Sequence, residues 1–192
     1  MEEQSRMDPE KIIELFPAFG LIRDDELRRL SVRAMSDAME QGGWNTDNLQ
    51  LAPLSLKVRG CSCNLVEHIN LVAELCMTAF EKVSGYYAAN GFPLDRDTVL
   101  CGALLHDIGK FTEYAEQDGV PGPGKYADLI RHPLSGAIIA AGAGLPERIV
   151  HLIATHSFEG DKSYLTPEAE FVRTIDLFAY KCSVYGLPGA QR

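Results

Sequence analysis

An apolar run that carries a histidine and an aspartate side by side is the strongest constraint on this chain. In LCGALLHDIGKFTEY, residues 100–114, Leu100, Ala103, Leu104, Leu105 and Ile108 form the apolar face of a helix heading into a core. His106 and Asp107 interrupt that face, and Lys110 follows three residues on. A buried carboxylate costs several kcal/mol unless it is paired or bound to a metal. Whatever fold surrounds this run must therefore satisfy the doublet internally.

The rest of the chain reads as helices. Asp8 with Pro9 gives a cap and a first-turn proline before Ile12, Ile13, Leu15 and Phe16. A second helix starts near Asp24 or Asp25 and stops at Gly42–Gly43, and residues 44–62 read as irregular. A long helix is predicted over about 64–88, and another, holding His106 and Asp107, over about 95–113. The Gly/Pro-rich stretch EQDGVPGPGKY, 116–126, is predicted to be an irregular loop. Further helices start at Pro133 and Pro146, and a last one starts at Thr166–Pro167, with Glu168 and Glu170 where the helix dipole favours acids. No alternating stretch is long enough for a sheet, so the expected class is all-α.

Helical phase then shows which way the other polar residues point. His68 lies three after Leu65 and four before Val72, on the apolar stripe. His156 follows Ile149, Leu152 and Ile153 by seven, four and three, and also points inward. Asp176 follows Ala169 and Val172 by seven and four and precedes Ala179 by three. His132 directly precedes Pro133, at a helix start from which its side chain can turn inward. His151, five before His156, is about 140° away and is predicted on the surface.

Each of these alone reads as an ordinary hydrogen-bonded core residue. Together, four of the five histidines and two aspartates occupy core-facing or helix-start positions. Left unpaired, they would cost more than the roughly 5–15 kcal/mol stability of a domain. They must satisfy one another, and a divalent cation does so directly. Neutral imidazole and carboxylate suit Mn, Fe, Ni or Zn.

Composition narrows the partners. The net charge of −9, from 27 acidic and 18 basic residues, argues against broad binding to a nucleic-acid polymer or a membrane surface. A small anionic substrate needs only a local positive site. Five cysteines, with Cys76 and Cys101 inside apolar helical runs, fit a reduced cytoplasmic protein better than a disulfide framework. The N-terminus is acidic and polar, unlike a signal peptide, and no segment approaches the roughly 20 apolar residues of a membrane span.

The ordered set His68, His106–Asp107, His132, His156 and Asp176, with HDIGK at 106–110, resembles the HD-domain superfamily of metal-dependent phosphohydrolases over about residues 60–182. The resemblance implies an HD-domain helical bundle over 61–192, with 1–60 as an N-terminal helical extension packed on it. It implies that His68, His106, Asp107 and Asp176 hold one divalent metal. Asp107 bridges to a second, completed by His132 and His156, with Fe or Mn expected and Ni, Co or Zn as alternatives. It gives Lys110 a catalytic role on a substrate phosphate, beside Asp107. THSFEG, 155–160, and RHPLSGA, 131–137, are similar to the branch that cleaves diadenosine tetraphosphate symmetrically. The cyclic-dinucleotide branch shares HDIGK, but its further motifs are missing after His156.

Hydrolysis of a phosphate ester or anhydride, in a nucleotide, is the favoured reading. The same six ligands also occur in HD-type mixed-valent di-iron oxygenases, and a regulatory module with a degenerate site is a third reading. Lys125 and Arg131 flank the loop beside the site as candidate contacts for an anionic substrate, or as ordinary solvated surface. The oligomeric state stays open.

Overall fold

The computed structural model describes residues 7–124, 127 and 129–190. Five of its helices begin where a side chain satisfies a free backbone N–H group of the first turn. Asp8 caps α1 (Pro9–Leu15) and Asp24 caps α2 (Asp25–Gly42), which ends on Gly43 in the left-handed region at φ 75°. A reciprocal box between Asn64 and Glu67 opens α3 (Leu65–Ala89). Asp95 caps α4 (Arg96–Leu105) and Thr166 caps α8 (Pro167–Ser183). Between them lie α5 (Lys110–Glu113), α6 (His132–Gly142) and α7 (Glu147–Thr155).

Helix α4 is the axis of the bundle. It packs on α3, α7 and α8, and every residue from Thr98 to Leu105 is buried. That is why its apolar residues run on all sides rather than in a stripe. Gly102 gives α7 a close approach: a Cβ there would run into the Leu152 side chain. Helix α3 also packs on α8, and α6 lies against α7. The N-terminal residues share this core, since Ile12, Phe16, Phe19 and Met35 belong to the same apolar cluster as Leu100, Leu104 and Ile153.

Two sequence expectations fail. The single helix over 95–113 breaks after Leu105, and residues 106–109 form tight turns before α5 starts at Lys110. The Ile108 and Lys110 N–H groups bond back three residues, to Leu105 O and Asp107 O. The loop over 116–126 is in part a hairpin. Strand β1 (Tyr114–Gln117) pairs antiparallel with β2 (Val120–Pro123), Tyr114 opposite Pro123. The two-residue turn Asp118–Gly119, with φ 52° and 79°, closes it with positive φ at both positions.

Residues 44–62 hold little regular structure besides a short 3₁₀ turn, Leu49–Leu51, yet they are anchored. Trp44 is buried and its Nε1–H donates to Phe111 O at 2.8 Å. Leu54 is fully buried and lends its carbonyl to Lys110. This segment thus grips the short α5 from behind.

Candidate metal centre

Six side chains from five elements converge at the end of α4. His68 comes from the second turn of α3 and Asp176 from the middle of α8. His106 caps the C-terminus of α4, and Asp107 lies in the turn beyond it. His132 starts α6 and His156 caps the C-terminus of α7. All four histidines and Asp107 are buried.

The helix ends aim these rings. A helix C-terminus leaves carbonyls without an N–H partner. His106 Nδ1–H donates to Ala103 O and His156 Nδ1–H to Ile153 O, both at 2.7 Å and both three residues back. The same device at two helix ends fixes both ring orientations and leaves each Nε2 facing inward. His132 Nδ1–H instead donates to Glu113 Oε2 at 2.8 Å.

The inward atoms form two groups that share Asp107. His68 Nε2, His106 Nε2, Asp107 and Asp176 place one ligand atom each within 4.8 Å of one another, and Asp107, His132 and His156 do the same. In the first group Asp176 Oδ1 lies 3.0 Å from His68 Nε2 and 3.5 Å from His106 Nε2. Asp107 Oδ2 lies 3.3 Å from His106 Nε2 and 3.6 Å from His68 Nε2. In the second group the other oxygen, Asp107 Oδ1, lies 3.4 Å from His132 Nε2 and 3.5 Å from His156 Nε2. One carboxylate therefore turns one oxygen to each group.

Close approach of α6 makes the second group possible. A Cβ on Gly109 would overlap the His132 carbonyl oxygen and lie 2.6 Å from Ser135 Oγ. The HDIG glycine, at an ordinary negative φ of −63°, is there to let α6 touch the turn. Gly160 plays a like part behind His156, where a Cβ would overlap the Thr155 carbonyl oxygen.

The electrostatics are those of a cation site. Burial opposes a charge on His106, but the Asp107 and Asp176 carboxylates outweigh it and raise its pKa to about 10. Burial likewise opposes ionisation of Asp107, and Lys110 and His106 overcome it, holding that carboxyl well below its usual range. Burial lowers His132 to about 4 against the pull of Glu113, so this ring stays neutral. Two ionised carboxylates that draw positive charge into the centre, beside a neutral His132 ring and imidazoles that release their Nε2 proton when a cation binds, suit a divalent metal. The donor set passes a further check: Asp107 Oδ2 is buried and has no aligned hydrogen bond among the described residues, although Lys110 Nζ sits 2.7 Å away as an ion pair. Such an oxygen has lone pairs to give.

The remaining sequence candidates fall differently. Lys110 is buried beside Asp107, and its Nζ also donates to Leu54 O at 3.1 Å. Arg131 pairs with Glu159 at 2.5 Å and lies 4.0 Å over the Phe158 ring, so its charge is already matched. Lys125 lies outside the described residues. His151 is outside both groups; it is half-buried rather than on the surface, with its ring 6.2 Å from that of Tyr164. Glu113 was missed by sequence reasoning. Its signal was spacing: it follows Lys110 by three, on the same face of one helical turn.

Comparison with known proteins agrees with this centre. Residues 65–181 match the HD domain family. Over 193 aligned residues the chain is 30% identical to ribonuclease Y of Acidothermus cellulolyticus, covering 99% of this chain and 33% of that protein. Over 90 residues it is 39% identical to ribonuclease Y of Roseiflexus sp., covering 47% of this chain and 13% of that protein. The chain thus spans a third or less of the curated relatives it matches. No solved structure matches it. With a match that begins at the start of α3 and ends just past Asp176, enclosing all six converging side chains, the chain belongs to the HD domain family.

Proposed function

We propose that this protein is a metal-dependent phosphohydrolase that cleaves a phosphate ester or anhydride of a small nucleotide. The observation that carries the reading is the split of Asp107, with Oδ2 on the His68–His106–Asp176 group and Oδ1 on the His132–His156 group. His68, His106, Asp107 and Asp176 would hold one ion and Asp107, His132 and His156 the second, with Mn or Fe first in line and Ni, Co or Zn compatible with the donors. Bound there, two such ions supply Lewis acidity, activating water and neutralising phosphoryl charge.

The chain's own residues do the rest. Asp107 stays ionised at the pH of the cell because Lys110 and His106 hold its pKa down against burial. The Nδ1 bonds of His106 and His156 aim their Nε2 atoms into the centre, where a bound cation would take the place of an Nε2 proton. Lys110 has three N–H donors. One is spent on Leu54 O and one faces Asp107, which leaves one for a phosphoryl oxygen. Its ammonium stays charged throughout, because the Asp107 carboxylate outweighs the effect of burial.

A ribonucleotide phosphodiester is the second reading, supported by the relatives named ribonuclease Y. The net charge of −9 favours a small substrate or a strand end over a long polymer. The reduced cysteines favour the cytoplasm, and among the described residues no helix is long and apolar enough to cross a membrane.

The test is an anaerobic screen in Mn2+ of mononucleotides, dinucleoside polyphosphates, cyclic nucleotides and short oligoribonucleotides. Hydrolysis without dioxygen supports the proposal, and the preferred class separates the two readings. Product formed only with iron, and with stoichiometric oxygen uptake, would replace hydrolysis with the di-iron oxygenase reading.

A further inference from the structure

The two ligand groups differ in charge. The first holds two carboxylates, Asp107 and Asp176. The second holds two imidazoles and only the shared Asp107. That shared carboxylate is also partly neutralised, since Lys110 Nζ lies 2.7 Å from its Oδ2. A cation in the second group therefore meets the weaker field, and something else must compensate.

Glu113 stands where compensation is needed. Its Oε2 accepts from two donors of one residue, the His132 backbone N–H at 3.0 Å and His132 Nδ1–H at 2.8 Å. That double grip fixes both the first residue of α6 and the rotation of its ring. Among the four histidines of the centre, His132 alone has Nδ1 held by a charged group. His106 and His156 use backbone carbonyls of their own helices, and His68 Nδ1 has no hydrogen-bond partner among the described residues. Glu113 is itself well sheltered, with its side chain 14% exposed, and it comes from α5, directly after the HDIGK turn.

We propose that Glu113 is a positioning residue for the second ion: through His132 it aims one Nε2 donor and strengthens it as a ligand, so that it governs occupancy of the Asp107–His132–His156 group selectively. This rests on the two-ion reading above. A carboxylate behind a ligating histidine fixes its tautomer and raises its basicity, and losing such a partner commonly costs 10–100-fold in metal affinity.

The experiment is a Mn2+ titration of the metal-free 192-residue chain by calorimetry, comparing wild type, Glu113→Ala and Glu113→Gln, with thermal unfolding of each metal-free protein alongside. The expected result is a second Mn2+ bound 10–100-fold more weakly in Glu113→Ala, with the first unchanged. Glu113→Gln should fall between Ala and wild type, because its amide oxygen still accepts both bonds but without the charge. A merely structural role would weaken both ions together and lower the metal-free melting temperature of both variants. Equal loss at both sites, an unchanged second affinity in Glu113→Ala, or a Gln variant no better than Ala overturns the proposal. A wild-type chain that binds only one ion overturns the two-ion reading and this proposal with it, whereas two ions bound equally well by wild type and Glu113→Ala overturns this proposal alone.

Discussion

Gly109 and His132 touch backbone to backbone: the space for a side chain on Gly109 is filled by the His132 carbonyl oxygen. Gly136 N also lies 2.7 Å from where that side chain would begin, so the obstacle is helix backbone and cannot swing aside. Gly109→Ala must push α6 away from the HDIG turn. It should destabilise the fold by roughly 1–3 kcal/mol, as overpacking does, and weaken the second metal site more than the first. Thermal unfolding and metal stoichiometry of the one variant check both parts. A variant with wild-type stability and two bound ions would contradict the packing argument.

His151 and His156 lie on the same helix but have different surroundings. His156 Nε2 faces Asp107 Oδ1 at 3.5 Å, whereas His151 lies beside Tyr164. His151→Ala should leave metal content unchanged and His156→Ala should lower it. Elemental analysis of the two purified variants is sufficient, and equal metal loss in both would contradict the assignment.

Lys110 is buried and faces Asp107, so its removal takes a positive charge away from the carboxylate proposed to hold the metal. Lys110→Met keeps the volume. It should bind metal at least as tightly as wild type, yet lose turnover by on the order of 10²–10³-fold, the cost of one donor to developing charge. Steady-state rates at saturating Mn2+ measure this. A variant that loses its metal would instead make Lys110 a structural partner of Asp107.

Stability should fall in alkali. Burial pushes the Cys101 thiol from an ordinary 9.0 up to about 12, and burial raises Cys76 in the same direction. A raised folded-state pKa means that the native chain holds a proton which the unfolded chain has lost. The contribution is therefore fully present below pH 9 and declines as pH rises toward 12. By pH 10 the loss from Cys101 alone should be about 1 kcal/mol. Tyr114, pushed by burial to about 12, adds a loss of the same sign at higher pH. Urea unfolding between pH 8 and 10 checks the slope, which Cys101→Ala should reduce.

Much of this was legible from residue order. The caps Asp24 and Thr166 act locally, so the helix starts they announce are where the structure has them, and the long helix expected from about residue 64 starts at Leu65. The inward phase of His68, His156 and Asp176 also held, because three turns of apolar neighbours fix a helix's rotation. The break after Leu105 was not legible. Ile108 and Phe111 continue the apolar period, and the turn between them is imposed by contact of Gly109 with α6, which lies far along the chain. The hairpin was hidden by its own glycines and prolines, although Asp118–Gly119 is a hairpin signal in its own right. Glu113 was not singled out in the sequence, because its partner His132 is distant along the chain. For Arg131 the sequence showed the charge but not Glu159, which meets it.

The central claim is that Asp107 is shared between two ions. Equilibrium dialysis of the metal-free chain against Mn2+, read by elemental analysis on wild type and Asp107→Asn, tests it most directly. The account predicts two ions per wild-type chain and a site emptied of both in Asp107→Asn, since each oxygen serves a different group. A wild type that saturates at one ion, or an Asp107→Asn variant that keeps two, would contradict it.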